Sequence, residues 1–293
     1  MTYACLGPEG TFTQAALRRM PTLAPDMPHR PFPTVRAALE AVRRGDCGAA
    51  VVPLENSVKG VVPATMDRLV SARLHINAEV TMPVTFALMA PAGSARERIT
   101  RVLSHPHALG QCRTWLARHL PDAYAVPADS TAAAAREVAD AGAEGVAAIA
   151  APLAAELYGL EILATDIGEH ASAVTRFVAV SQGWLPPARA GRERTSLVVS
   201  LRGEGPGQLV SVLTEFSSRG IELSWIQSWP TGDRLGNYRF FIDIDGHIEN
   251  PSVREAIAAL AGLGARARFM GSYPRWATAA IAGPRPQAVG VAA

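Results

Sequence analysis

Residues 1–190 hold 40 alanines, and residues 191–255 hold none. One compact domain draws on one kind of interior, so a break this sharp marks two units with different cores. It coincides with Gln182–Arg194 (QGWLPPARAGRER), whose Gly, Pro and Arg content reads as a linker. A length of 293 residues fits two domains. The expected division is a first unit at 1–182, a linker at 183–194, a second unit at 195–276, and a frayed tail at 277–293 made of small residues and Pro without period.

The balance of 48% hydrophobic and 18% charged residues excludes a wholly disordered chain. With 28 basic and 26 acidic residues, the net charge of +2 offers no surplus for nucleic acid or an anionic membrane. Three cysteines, Cys5, Cys47 and Cys112, stand without CxxC spacing, which fits a reduced compartment and gives no zinc pattern. No stretch reaches the roughly 18 uncharged apolar residues of a membrane span. The opening MTYACLGPEG lacks the basic-then-apolar order of a secretion signal. A cytoplasmic protein is the expectation.

The first unit carries an internal repeat. Tyr3–Leu6 reads as a strand, followed by a Gly/Pro loop and a helix over Thr13–Met20. Arg101–Leu103 is likewise a strand, followed by Ser104-His105-Pro106 and a helix over Leu109–Leu120. Pro33-Thr34 then opens a helix leading to Gly48–Pro53, and Asp129-Ser130 opens one leading to Val146–Pro152. Thr34 and Ser130 sit where a helix N-cap is wanted. Strand–helix alternation argues α/β lobes with parallel strands, and two such lobes invite a ligand cleft between them.

The second unit has a different rhythm. Leu197, Val199 and Leu201 alternate as a strand, and Leu209, Val212, Leu213 and Phe216 share a helix face. Strands follow at Ile221–Trp229 and Tyr238–Ile244, a helix at Val253–Leu260, and a last strand at Ala265–Tyr273. The order is βαββαβ, a ferredoxin-like plait.

Four segments of the first unit concentrate polar residues. Gly7-Pro8-Glu9-Gly10-Thr11-Phe12-Thr13 joins a strand to a helix start, where backbone N–H groups attract anions. Glu55-Asn56-Ser57-Val58-Lys59-Gly60 follows a buried strand, and Lys59 is the only lysine in the chain. Ser104-His105-Pro106-His107-Ala108-Leu109-Gly110-Gln111-Cys112 opens the second lobe's helix. Here Ser104 is the expected helix cap and His105 a loop hydrogen-bonder. Val174–Val180 is a strand on which Thr175 and Phe177 share one face and Arg176 takes the other.

In this order GPEGTFTQAAL, VVPLENSVKG, LSHPHALGQC with STAAAAREVA, and TRFVAV resemble prephenate dehydratase. The βαββαβ unit with Gly205-Pro206-Gly207-Gln208-Leu209 looks like the ACT regulatory domain of bacterial members. The resemblance implies a two-lobed, periplasmic-binding-protein-like α/β catalytic domain with a cleft, then the ferredoxin-like ACT domain. It implies conversion of prephenate to phenylpyruvate, CO2 and water in phenylalanine biosynthesis, without cofactor or metal. The catalytic Thr of the family's TRF motif falls on Thr175, with Arg176 and Phe177 beside it, and Arg176 is expected to fork one substrate carboxylate. Thr11, Thr13, Glu55, Asn56, Ser57, Ser104 and Gln111 are expected to line the cleft.

The effector segments depart from the family pattern. Gly207-Gln208-Leu209 stands for Gly-Ala-Leu, and Gln227-Ser228-Trp229-Pro230 for Glu-Ser-Arg-Pro. The lost Glu and Arg leave phenylalanine control an open expectation, and Trp229 is expected to fill the pocket or stack on an aromatic ligand. A homodimer or homotetramer follows from the resemblance. The alternatives are an arogenate dehydratase, a prephenate decarboxylase that does not aromatise, and a sensor of aromatic ligands without chemistry.

Overall fold

The computed structural model describes residues 1–20, 27–170, 172–186, 190–201, 206–234 and 236–276. The tail expected at 277–293 lies outside the described residues. The first lobe runs β1 (Tyr3–Leu6), α1 (Phe12–Arg19), β2 (His29–Phe32), α2 (Val35–Arg44), β3 (Ala49–Asn56), β4 (Gly60–Val61), α3 (Pro63–Ser71) and β5 (His75–Pro83). The second runs β6 (Ala87–Ala90), β7 (Arg101–Ser104), α4 (Pro106–Gln111), α5 (Arg113–His119), β8 (Tyr124–Pro127), α6 (Thr131–Ala141), β9 (Val146–Ala150), α7 (Pro152–Tyr158) and β10 (Glu161–Ala164). The chain then returns to the first lobe as β11 (Val174–Ser181).

The repeat is visible in the topology. The first sheet is ordered β2-β1-β3-β11-β5, with β4 on β3, and the second, read from its far edge, is β8-β7-β9-β6-β10. In each, the first three strands are parallel and the next is antiparallel. Thr34 and Ser130 cap α2 and α6, each hydroxyl accepting from a backbone N–H three residues on. The two passages between lobes run side by side, with Val84 N–H donating to the Ala173 carbonyl at 2.9 Å.

One expectation fails at α4. The single helix expected over Leu109–Leu120 is two helices meeting at Cys112, and the first begins at Pro106, whose fixed φ suits a first helical position. His105 is the cap: its Nδ1 accepts from His107 N–H at 3.2 Å. Ser104 is instead fully buried, donating to the Ile149 carbonyl at 2.6 Å.

The βαββαβ unit comprises β12 (Glu193–Leu201), α8 (Gln208–Ser217), β13 (Leu223–Pro230), β14 (Tyr238–Asp245), α9 (Pro251–Ala259) and β15 (Ala265–Pro274). Its antiparallel sheet is ordered β13-β14-β12-β15. Alternation divides each strand between two cores. Leu197, Val199, Ile242 and Ile244 meet Val212, Phe216 and Val253 on the helix side. Val198, Phe241, Met270 and Tyr273 face the other way and share a core with Leu54, Met66, Leu69 and Ile76 of the first lobe. At Gly271, φ is +145° and an added Cβ would lie 1.9 Å from the Ile76 carbonyl oxygen, so only glycine lets β15 pass this close to β5. No helix among the described residues is long and apolar enough to cross a membrane.

Candidate active site

A cleft of about 470 Å³ lies between the two lobes. The first lobe contributes Thr11, Phe12, Thr13, Pro53, Asn56 and Lys59, the returning strand β11 contributes Thr175 and Phe177, and the second lobe contributes His105, His107, Gln111, Asp129, Ser130 and Thr131. Phe12 and Phe86 meet edge to face at 5.5 Å and, with Phe177, give the cleft an apolar wall.

Thr175 stands opposite Asn56 in the β3–β11 ladder. Asn56 Oδ1 accepts from the backbone N–H groups of Val58 and Lys59 at 2.9 and 3.0 Å. That fixes the amide orientation and aims Nδ2 at Thr175 Oγ1, 2.8 Å away. The same Asx turn brings Lys59 back over the cleft, the one lysine of the chain and a cation among its lining residues.

Helices α1 and α6 both start at the cleft. Thr11 caps α1 by accepting from Gln14 N–H, while Gln14 Oε1 reaches back to Gly10 N–H at 2.6 Å. Ser130 caps α6. First-turn N–H groups beyond these caps point outward and favour anions. Gly10 has φ +84°, and its Cβ position is 3.1 Å from Ala154 of the second lobe. The lobes touch there, with Tyr158 donating to the Glu9 carbonyl at 2.8 Å.

Burial first, then Lys59 and His105, lower the pKa of His107, which favours a neutral ring. Gln111 Nε2 lies 3.2 Å from His107 Nδ1. Burial pushes the Cys112 thiol up to about 12, so it stays a thiol at neutral pH. Among the described residues no group of three or more His, Cys, Asp or Glu could hold a metal ion.

Thr11, Thr13, Asn56, Gln111, Thr175 and Phe177 therefore come together as expected positions of one cleft. Four expected residues do not. Arg176 is turned to the opposite face of β11, where Glu79, Asp243 and Tyr273 occupy its guanidinium, so it has no fork left for a carboxylate. Glu55, its ladder partner, faces the same way and accepts from the Trp225 indole at 3.0 Å. Ser57 accepts from Val174 N–H and closes the end of the ladder. Ser104 is sealed beneath the second sheet's strands. The strand period already separates Arg176 and Glu55 from Thr175 and Asn56.

A family model described as prephenate dehydratase matches residues 3–183, and one described as the ACT domain matches residues 195–262. The chain belongs to the prephenate dehydratase family. It is a dehydratase of the carbon–oxygen lyase type, with the ACT domain placed after its catalytic domain. A prephenate dehydratase of Mycolicibacterium vanbaalenii is 45% identical over 284 residues, covering 92% of this chain and 90% of that one. A crystal structure of the Arthrobacter aurescens prephenate dehydratase in complex with L-Phe is 46% identical with a TM-score of 0.82, covering 94% and 90%. A protein described as a novel type of quorum-quenching acylase shares the fold at 28% identity and a TM-score of 0.82, covering 94% and 98%.

The sequence reading left Lys59, His105 and His107 without a role in the cleft. The available signal was Lys59 itself: a lone lysine three residues past a strand end is held inward once Asn56 forms an Asx turn.

In the ACT domain, Gly207 is the N-cap of α8 with Gln208 and Leu209 in its first turn, and Gln227–Pro230 ends the edge strand β13. Trp229 points at the catalytic domain, donating to Asp67 of α3 at 3.0 Å.

Proposed function

We propose that the interlobe cleft binds prephenate and that Thr175 assists departure of its ring hydroxyl. Prephenate is a dianion, and its conversion to phenylpyruvate, CO2 and water consumes one proton. The site must hold two carboxylates and stabilise charge on the leaving oxygen. Lys59 and the outward N–H groups of α1 and α6 suit the carboxylates. The wall of Phe12, Phe86 and Phe177 suits the ring and lowers the local dielectric.

The Asn56–Thr175 hydrogen bond carries the mechanistic reading. Asn56 occupies a lone pair of Thr175 Oγ1, which leaves the hydroxyl proton to donate. A threonine is a poor free acid, so its contribution is a hydrogen bond that strengthens as hydroxide develops in the transition state. Carboxylate loss supplies the electron pair that aromatises the ring as the C–O bond breaks.

An amino-acid effector acts at the ACT domain, with Gly207–Leu209 and Gln227–Pro230 as the segments that meet it. L-Phe is the first candidate because the Arthrobacter relative holds it. Calorimetry of the full chain with phenylalanine tests this, and absence of heat removes phenylalanine as the effector.

The decisive experiment mixes purified protein with prephenate and follows phenylpyruvate as its enolate in alkali, with Thr175→Ala beside it. Product in the wild type and near loss in the variant supports the reading. Prephenate consumed without phenylpyruvate points to decarboxylation alone, and turnover of arogenate in preference to prephenate reassigns the substrate.

A further inference from the structure

We propose that Asp243 of the ACT domain positions the Thr175 hydroxyl by holding Arg176, so that the ACT sheet is a structural part of the catalytic strand. The inference rests on the reading of Thr175 given above. Thr175 and Arg176 are successive residues of β11, so they point to opposite faces, one to the cleft and one to the ACT domain.

Every nitrogen of the Arg176 guanidinium is engaged. Nε donates to Glu79 at 2.6 Å, Nη1 to Asp243 at 2.5 Å and Nη2 to the Tyr273 hydroxyl at 2.9 Å. Glu79 belongs to the neighbouring strand β5, but Asp243 and Tyr273 come from β14 and β15 of the ACT sheet. Arg194 donates to Glu79 at 2.8 Å, and Ser196 donates to the second oxygen of Asp243 at 2.5 Å. All four charged groups are buried, and two positive charges face two negative ones.

An apolar pair of equal volume would dock the two domains at least as well, because burying ions costs desolvation. What ions add is direction. A guanidinium fixed at three corners allows its backbone little rotation or slip. This matters here because the β3–β11 register shifts between Arg176 and Phe177. The bulge loosens the ladder on the β3 side, which carries Asn56, while β5 pairs with residues 174–179 without a shift. Asp243 also pairs with Trp225 on β13, the strand that ends in Gln227–Pro230, so the effector segment and the clamp share neighbouring strands.

The test uses the full chain and steady-state turnover of prephenate. Asp243→Asn keeps shape and removes the charge; Tyr273→Phe removes one hydroxyl and covers the case in which the first variant does not fold. The expected result is a kcat about tenfold lower with KM changed less than about twofold, in protein shown by melting to be folded at the assay temperature. Arg176→Lys, which keeps charge and loses the fork, should lower kcat in the same way and be non-additive with Asp243→Asn. Unchanged kcat in folded Asp243→Asn or Tyr273→Phe overturns the proposal, as does a rise in KM alone. A wild-type protein without prephenate turnover overturns the reading of the cleft itself, and that is seen before any variant is made.

Discussion

The Asn56 side-chain amide donates to the Thr175 hydroxyl oxygen at 2.8 Å, across two strands that are 119 residues apart in sequence. The amide is itself locked by two backbone N–H groups of the turn that presents Lys59. One small network therefore orients the Thr175 hydroxyl and the Lys59 turn together.

Thr175→Ala should lower kcat by about 10²- to 10³-fold, the usual cost of removing a donor from a developing oxyanion. Thr175→Ser should retain most of the activity, because it keeps the hydroxyl. Asn56→Ala should lower kcat less, since it frees the threonine rotor without deleting it. Steady-state kinetics with prephenate measure all three, and equal activity of Thr175→Ala and wild type would remove the threonine from the mechanism.

Lys59→Met should raise KM for prephenate by about tenfold or more, the worth of a charge-assisted hydrogen bond, with kcat affected less. Isothermal binding or initial rates at two salt concentrations give the check. A variant with unaltered KM would place the carboxylates elsewhere in the cleft.

His107 gives a pH dependence of definite sign. Burial, Lys59 and His105 hold its pKa below the ordinary 6.5. A bound dianion adds negative charge and raises that pKa, so binding takes up a proton in the window between the two values. KM should fall as the pH is lowered into that window, and His107→Asn should flatten the dependence. For the substrate-free fold the sign is reversed: the stability tied to neutral His107 is undiminished above 6.5 and declines as the pH falls.

Gly271→Ala should cost about 3 kcal/mol through overpacking, because the Cβ meets a backbone carbonyl that cannot rotate away. A drop in melting temperature by calorimetry is the expected readout. A melting temperature equal to wild type would mean that β15 can move off β5 at little expense.

Period and capping made much of the fold legible. The helix caps at Thr34 and Ser130, the twofold alternation of β11 and β14, and the strand–helix order of both lobes are local properties of the chain. The same alternation already set Arg176 apart from Thr175, but the charged partners that claim it come from residues 79 and 243, and no local pattern links those positions. The cap fell to His105 and not Ser104 for a local reason, since Pro106 fixes the helix start and leaves the preceding residue as cap. Lys59 entered the cleft through an Asx turn whose geometry is invisible to composition.

The shared core between catalytic and ACT domains sets a limit on modularity. Met66, Leu69 and Ile76 on one side and Val198, Phe241 and Met270 on the other have no solvent-facing alternative. Cutting the chain in the linker would bare both surfaces and invite aggregation of each half. An ACT domain transplanted from another chain would have to bring a matching apolar face, so in this lineage the two halves can change only in step.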